Sequence, residues 1–467
     1  MKITEFIVEN LLRKNLILYK LSWKLYNNLV FKKKIEKDRK KFFSKIKKIE
    51  PIISKVVDTS YKPDINVIKI TIDCLRNDHM SYNGYERETT PFIDSLKGYR
   101  TTMISPSSWT YPALASILTG LYPHNHGAIL NGKIRKFDIK GLRPLKRGVI
   151  TINELLYLLG FNTYSIAPID LAIYATKGRW CLQELIPLSN AEFIISNVID
   201  WISNNMKENK NFFAHVHFGD LHEPINPPKK FRNYFGKIDK LPNIENWAFQ
   251  KPETQRGREF EKYKENKILL YDNTLRYVDH ILERFYEFLE DQGLLDSTVV
   301  IITTDHGEEF WDHAELEAKH FYDVRGYAGI GHGHSVFNEL IQVPLIMHGP
   351  NVPNRQDDKL VSGVDIVPTV LDLLEIQHHI FLDGLNIFKA PTKRVLISEN
   401  TIHGYEKRAL IYNNYKFIYS QDDDVSWIFN LKKDPYERNP IVDEELSKMF
   451  MSKLHKLTSE KMILWKV

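Results

Sequence analysis

The sequence predicts an α/β protein with a large, mostly parallel central sheet flanked by helices, and three observations predict it. First, Asn66-Val67-Ile68-Lys69-Ile70-Thr71-Ile72, Phe212-Phe213-Ala214-His215-Val216-His217-Phe218 and Thr298-Val299-Val300-Ile301-Ile302-Thr303-Thr304 are short runs rich in apolar, β-branched and aromatic residues, the signature of buried strands. Second, helical patterns separate them, clearest from Asn273 to Leu289, where Leu275, Val278, Ile281, Leu282, Phe285 and Leu289 share a face. Strands alternating with helices imply a parallel sheet covered on both sides. Third, each run discharges chemistry at its end: Asp73, then Asp220-Leu221-His222, then Asp305-His306. Open α/β sheets place their sites beyond the carboxyl ends of the strands, so these ends predict a metal or phosphate site.

The flanks read differently. Residues 1–60 hold 16 Lys/Arg against 6 Asp/Glu, near +10, which leaves the rest near −5 although the whole chain is only +5. Nucleic acid is therefore not an expected partner of the main body, whose basic residues do not cluster. Residues 1–62 are expected to be a basic helical arm, since no proline precedes Pro51. Two roles stand open for it: packing on the main domain or in a homo-oligomer, or contact of its polybasic run with an anionic membrane surface. Residues 63–390 form the expected catalytic domain. Residues 391–467 predict a small α+β subdomain: short strands at Arg394–Ser398, Arg408–Tyr412, Tyr415–Tyr419 and Trp427–Asn430, closed by a helix from Glu444.

Two cysteines, Cys74 and Cys181, cannot build a disulfide framework, and a reducing compartment is the simplest expectation. No apolar run approaches the roughly 20 residues that span a bilayer. The first 30 residues, interrupted by Arg13, Lys14, Lys20 and Lys24, do not read as a signal peptide. A cytoplasmic protein, with peripheral membrane contact through its arm, is expected.

In Ser105-Pro106-Ser107-Ser108-Trp109-Thr110-Tyr111-Pro112-Ala113-Leu114, Pro112 suits the first turn of a helix, which puts Thr110 at or just before its N-terminus. Free N–H groups and the helix dipole favour an anion there, although helix capping is the ordinary duty of such a threonine. This segment, running on through Thr119-Gly120-Leu121-Tyr122-Pro123-His124-Asn125-His126-Gly127, resembles the nucleophile helix of the sulfatase-like branch of the alkaline-phosphatase superfamily. Four further segments carry the likeness in the family's order: Ile72-Asp73-Cys74 through Tyr85, Gly293 through Glu308, Val364 through Leu374, and Tyr415 through Arg438. The resemblance runs over nearly all of residues 64–440. It implies an alkaline-phosphatase-like sandwich and one divalent metal ion on Asp73, Thr110, Asp305 and His306. Such an oxygen and nitrogen set favours Zn²⁺ or Mn²⁺ and accepts Ca²⁺ or Mg²⁺.

The departures from the family pattern carry information. Sulfatases mature a Cys or Ser to formylglycine; counting back from Thr119-Gly120, that position is Thr110, and the family's Arg position is Leu114. Threonine cannot follow that route, so the resemblance points to threonine-using relatives, namely phosphodiesterases and phosphoethanolamine or phosphoglycerol transferases. The paired Asp-Asp of many sulfatases becomes Asp73-Cys74. Asp220 and His222 are two residues apart, not the four of two-metal relatives, which favours one metal. His332, in Gly331-His332-Gly333-His334, falls where relatives place a Lys or His on the transferred group, and His222 looks like a substrate-side histidine. Catalytic roles are thus expected for Thr110, His222 and His332. Substrate contacts are expected for Arg76, His79, His222, His332 and His334. The expected substrate is an anionic ester, a phosphodiester before a monoester, glycan- or lipid-linked, hydrolysed or transferred through a phospho-threonine. A sulfatase that dispenses with formylglycine and a non-catalytic scaffold are the rival readings.

Overall fold

The computed structural model of the chain describes residues 32–459. Residues 1–31 of the expected helical arm lie outside the described residues. In chain order the strands are β1 (Asn66–Ile72), β2 (Tyr99–Ile104), β3 (Asn162–Ala167), β4 (Leu182–Leu185), β5 (Phe212–Phe218) and β6 (Thr298–Thr303). A short ribbon of β7 (Glu309–Phe310) and β8 (Ile330–Gly331) precedes β9 (Gln342–His348), β10 (Arg355–Gln356) and β11 (Val361–Ser362). Apart from that ribbon, these strands make one nine-stranded sheet in the order β10-β2-β9-β6-β1-β5-β3-β4, with β11 also on β2. Every pairing is parallel except those of β9, which runs against β2 and β6. The mostly parallel α/β sheet expected from the strand–helix alternation is what the chain forms.

Both faces are covered, as the unbroken burial of β1, β5 and β6 requires. Ile68, Ile70 and Ile72 of β1 join a core with Leu275, Val278, Leu282 and Phe285 of the Arg258–Asp291 helix. That helix begins 15 residues before the periodic pattern did. Its first turns hide Phe260, Tyr263 and Lys267 among exposed charges, so the apolar stripe there is too sparse to read. Val67 of β1 points the other way, to a second core with Ile117 and Leu118 of the Thr110–Thr119 helix and Leu371 of the Ile366–Leu373 helix.

The basic segment forms the Lys32–Ile53 helix. Phe42, Ile46, Ile49 and Ile53 join that second core, while Lys37, Lys40, Lys41, Lys47 and Lys48 stay exposed. Phe42 is fully buried, edge-on to Tyr157 at 4.9 Å between ring centroids. Phe42→Ala is expected to cost about 3 kcal/mol, since it leaves a cavity beneath a helix that cannot collapse onto it, and urea denaturation should show the lowered midpoint. Among the described residues no helix is long and apolar enough to cross a membrane.

Beyond the sheet, β12 (Val395–Ser398), β13 (Arg408–Tyr412), β14 (Tyr415–Ser420) and β15 (Val425–Asn430) form a four-stranded antiparallel sheet. The Glu444–Ser459 helix lays Phe450 and Leu454 on its Leu410, Phe417 and Ile428.

Candidate active site

Three strands and one helix meet at the carboxyl edge of the sheet. β1 lies between β6 and β5, with Thr71 level with Thr303 on one side and His217 on the other. Asp73, one residue past β1, donates its N–H to Phe218 O at 3.0 Å, which fixes where the carboxylate emerges. Asp305 and His306 emerge beside it from β6. The Ser105 hydroxyl donates to Asp305 O, which ties the segment leading into the Thr110–Thr119 helix to this edge. Thr110 is the first residue of that helix, and Trp109, the preceding position, makes no side-chain cap. The Thr110 Oγ1 instead lies 3.1 Å from His306 Nε2. Its hydroxyl faces the site.

Asp73, Thr110, Asp305 and His306 are all buried. His306 Nδ1–H donates to Gly307 O at 2.9 Å, which leaves Nε2 with its lone pair toward Thr110. That Nε2 is 3.3 Å from Asp73 Oδ1 and 3.5 Å from Asp305 Oδ2. Donors bound to one ion at about 2.1 Å sit roughly 3.0–3.4 Å apart, so the spacing suits a divalent cation. Asp305 Oδ2 is buried without a hydrogen-bond partner, a costly arrangement for a lone carboxylate and the expected one for a ligand. Asp73, Asp305 and His306 together form a candidate metal group.

Around this group the structure adds residues that the strand-end pattern did not single out. His217, inside β5, holds Asp73 Oδ2 at 3.0 Å through Nε2. Burial works against ionising Asp73. The bond and charge of His217, then His306 and His222, outweigh it and hold the carboxyl well below its ordinary range. Glu308 holds His332 Nδ1 at 2.9 Å. The His332 ring lies 4.3 Å from that of His306 and 5.2 Å from that of His222, centroid to centroid. His222 donates Nδ1–H to Glu223 O at 2.9 Å, which leaves its Nε2 as the acceptor nitrogen. Cys74 is a buried neutral thiol. Burial, Glu308, Asp73 and Asp305 push it up, and Sγ sits 3.4 Å from Asp73 Oδ1. Beneath the site Lys69 is buried in mid-β1 and donates to Thr71 Oγ1; burial draws it down to about 7 while Asp305 opposes that shift. A polar residue within an apolar strand, as His217 and Lys69 are, was the available signal for both.

Other expected site residues are engaged elsewhere. Asp220 stands apart from the metal group, with Oδ2 unpartnered, and burial raises its carboxyl to about 7. Arg76 directs all five of its N–H groups at Asp78, Asp312 and Glu308 O, so none remains for a substrate oxygen. His79 pairs with Asp272 at 2.6 Å and stacks on Tyr85. His334 lies between Glu309 and Glu317, at 2.8 and 3.0 Å. Arg76 is thus a brace under the loop after β1. Asp312 is held well below its ordinary range, because Arg76 outweighs the burial that opposes it. A depressed folded-state pKa stabilises above the unfolded value and is lost as pH falls through the folded one. Arg76→Met should therefore cost roughly 2 kcal/mol at pH 7, discounted for the partly exposed carboxylates. The wild-type advantage should shrink below about pH 4, read by denaturation at both pH values.

The Sulfatase family matches residues 65–376. An arylsulfatase of Clostridium perfringens is 23% identical over 466 residues, covering 84% of this chain and 93% of that protein. The human N-acetylglucosamine-6-sulfatase is 23% identical over 331 residues, 62% of this chain and 57% of that one. Among solved structures, the phosphonate monoester hydrolase of Agrobacterium radiobacter aligns with a TM-score of 0.61 at 17% identity, over 85% of this chain and 95% of its own. A protein solved with its substrate D-glucosamine-2-N,6-O-disulfate gives 0.62 at 17%, over 86% and 97%. These structural likenesses concern the fold. The family match spans β1 through the Ile366–Leu373 helix, the stretch that supplies Asp73, Thr110, Asp305 and His306, and the chain belongs to the sulfatase family.

Proposed function

We propose that the protein is a metal-dependent hydrolase or transferase of phosphate esters, phosphodiesters before monoesters, acting through a phospho-threonine at Thr110. The observation that carries this reading is the Thr110 hydroxyl 3.1 Å from His306 Nε2, at the mouth of the buried Asp73, Asp305 and His306 group. A divalent ion on those three residues would lower the pKa of the hydroxyl and polarise the ester. Thr110 Oγ1 then attacks phosphorus in line. The Oγ1–P bond forms, the P–O bond to the leaving alcohol breaks, and Thr110 gives up its proton. His222 or His332, whose ring centroids are 5.2 Å apart, takes up that proton and delivers it to the departing oxygen. Water, or an acceptor hydroxyl, displaces Thr110 and restores its hydroxyl. Zn²⁺ or Mn²⁺ best suits two carboxylates and an imidazole, with Ca²⁺ or Mg²⁺ also accommodated.

A second reading has its own support: the relatives named above are an arylsulfatase and an N-acetylglucosamine-6-sulfatase. A sulfate-ester hydrolase using unmodified threonine would follow the same steps at sulfur. Parallel assays on an aryl phosphodiester, an aryl phosphomonoester and an aryl sulfate separate the two. We expect kcat/KM to be at least about tenfold higher on the diester than on the sulfate, a margin of about 1.4 kcal/mol in transition-state binding, and the reverse order would overturn the ranking. Bound metal with no turnover on any ester would support a scaffold instead. The exposed lysines of the Lys32–Ile53 helix favour an anionic glycan- or lipid-linked substrate at a membrane surface. Vesicles of anionic lipid should then bind the full chain and lose it in about 0.5 M salt, where charges are screened.

A further inference from the structure

The ribbon of β7 and β8 has two chemical sides. On one, Glu308 holds His332 in the site described above. On the other, the next residue, Glu309, meets Glu317 of the Ala314–His320 helix and His334. Glu309 Oε2 lies 2.8 Å and Glu317 Oε2 3.0 Å from His334 Nε2, and the three side chains are 0%, 3% and 4% exposed. Each offers a ligand atom within 4.8 Å of the other two.

A neighbouring pair shows what a self-sufficient histidine looks like in this part of the fold. His313 directs Nδ1 to Glu339 at 2.7 Å and Nε2 to Tyr436 O at 2.9 Å, so both N–H groups of an imidazolium are satisfied. His334 is different. Both carboxylates converge on the one nitrogen, and Nδ1 is buried with no hydrogen-bond partner. Glu317 Oε1 is likewise buried without one. One proton at Nε2 cannot serve two carboxylates, and an imidazolium would strand the rest of its charge at Nδ1, a costly state in a dry interior. A divalent cation resolves the first difficulty and removes the stranded charge, leaving only a neutral Nδ1–H unpaired. Two carboxylates balance its charge and the imidazole stays neutral, with Nε2 as ligand. Ligand pairs around such an ion stand about 3.0–3.4 Å apart, near the spacing present here. The carboxylates are also oriented from behind: Glu309 Oε1 accepts from His313 N at 2.9 Å, and Glu317 Oε2 from Gly329 N at 2.8 Å.

We propose that Glu309, Glu317 and His334 form a second, structural divalent-cation site of the Zn²⁺ or Mn²⁺ class, which pins the Ala314–His320 helix to the ribbon flanked by Glu308 and His332. It is separate from the group at Asp73, Asp305 and His306 and does not depend on which ester is cleaved. The test uses the full chain, stripped by chelator, reloaded with Zn²⁺ or Mn²⁺ alone, desalted and measured by elemental mass spectrometry. Wild type should hold two ions per chain. The Asp305→Asn, His306→Gln variant should keep one, and Glu317→Gln should also keep one. A wild type saturating at one ion, lost altogether in the first variant, would overturn the proposal. If Glu317→Gln does not fold, anomalous diffraction from Zn²⁺-loaded wild-type crystals decides it. A peak beside His334 Nε2 supports the site, and a peak at His306 alone removes it.

Discussion

Thr110→Ala is expected to lower kcat by about 10⁴-fold while the protein keeps its fold and the ion at Asp73, Asp305 and His306. The methyl of alanine fills the first position of the helix as well as threonine does, and Thr110 makes no cap whose loss would loosen that helix. What disappears is the hydroxyl 3.1 Å from His306 Nε2. Without a nucleophile on the protein the two half-reactions collapse into direct attack by water, and only binding and charge stabilisation remain. Thr110→Ser restores the hydroxyl and should stay within about tenfold of wild type, the difference reflecting a freer χ1. Acid quenching during turnover of a diester, followed by peptide mass spectrometry, should find phosphate on Thr110 in wild type and on the introduced serine in Thr110→Ser. Retention of most activity by Thr110→Ala would remove the covalent route and leave activated water as the nucleophile.

How much of this was legible in the sequence depended on how local the signal was. The strand runs and their chemical ends are short-range patterns, and Asp73, Asp305 and His306 do converge as their positions at strand ends implied. Helix-start chemistry likewise put Thr110 at the helix N-terminus; which way its hydroxyl turns is a tertiary fact. Arg76, His79 and His334 sit within a few residues of the site in sequence, which made substrate contacts a natural expectation. Their partners come from far away: Asp312 for Arg76, Asp272 for His79, and Glu317 for His334. No local pattern announces such pairings. The strand-end rule also chose Asp220 over His217. Side chains alternate across a strand, so His217, one step inside the end and level with Thr71, lies on the side toward Asp73 and reaches its carboxylate, while the exit loop leaves the site.

Asp305→Asn with His306→Gln is expected to lower activity by about 10³-fold or more, and to leave a chain that no longer responds fully to metal. In the metal-free wild type two buried carboxylates stand close together, and Asp305 Oδ2 has no hydrogen-bond donor. Removing one of those charges removes repulsion, so the metal-free variant should melt no lower than metal-free wild type. That outcome is the reverse of what loss of a structural ion pair would give. Added metal then separates the proteins. An ion that binds only the folded state stabilises it by about 2.7 kcal/mol at one hundred times its Kd. Wild type should gain that increment at the Asp73, Asp305 and His306 group and the variant should lack it. Any gain the variant retains is the one expected of an ion at the proposed Glu309, Glu317 and His334 site. Calorimetric melting with and without Mn²⁺ reads both effects at once. A variant that melts well below metal-free wild type, yet gains as much on metal addition, would show that Asp305 and His306 hold the fold and not the ion.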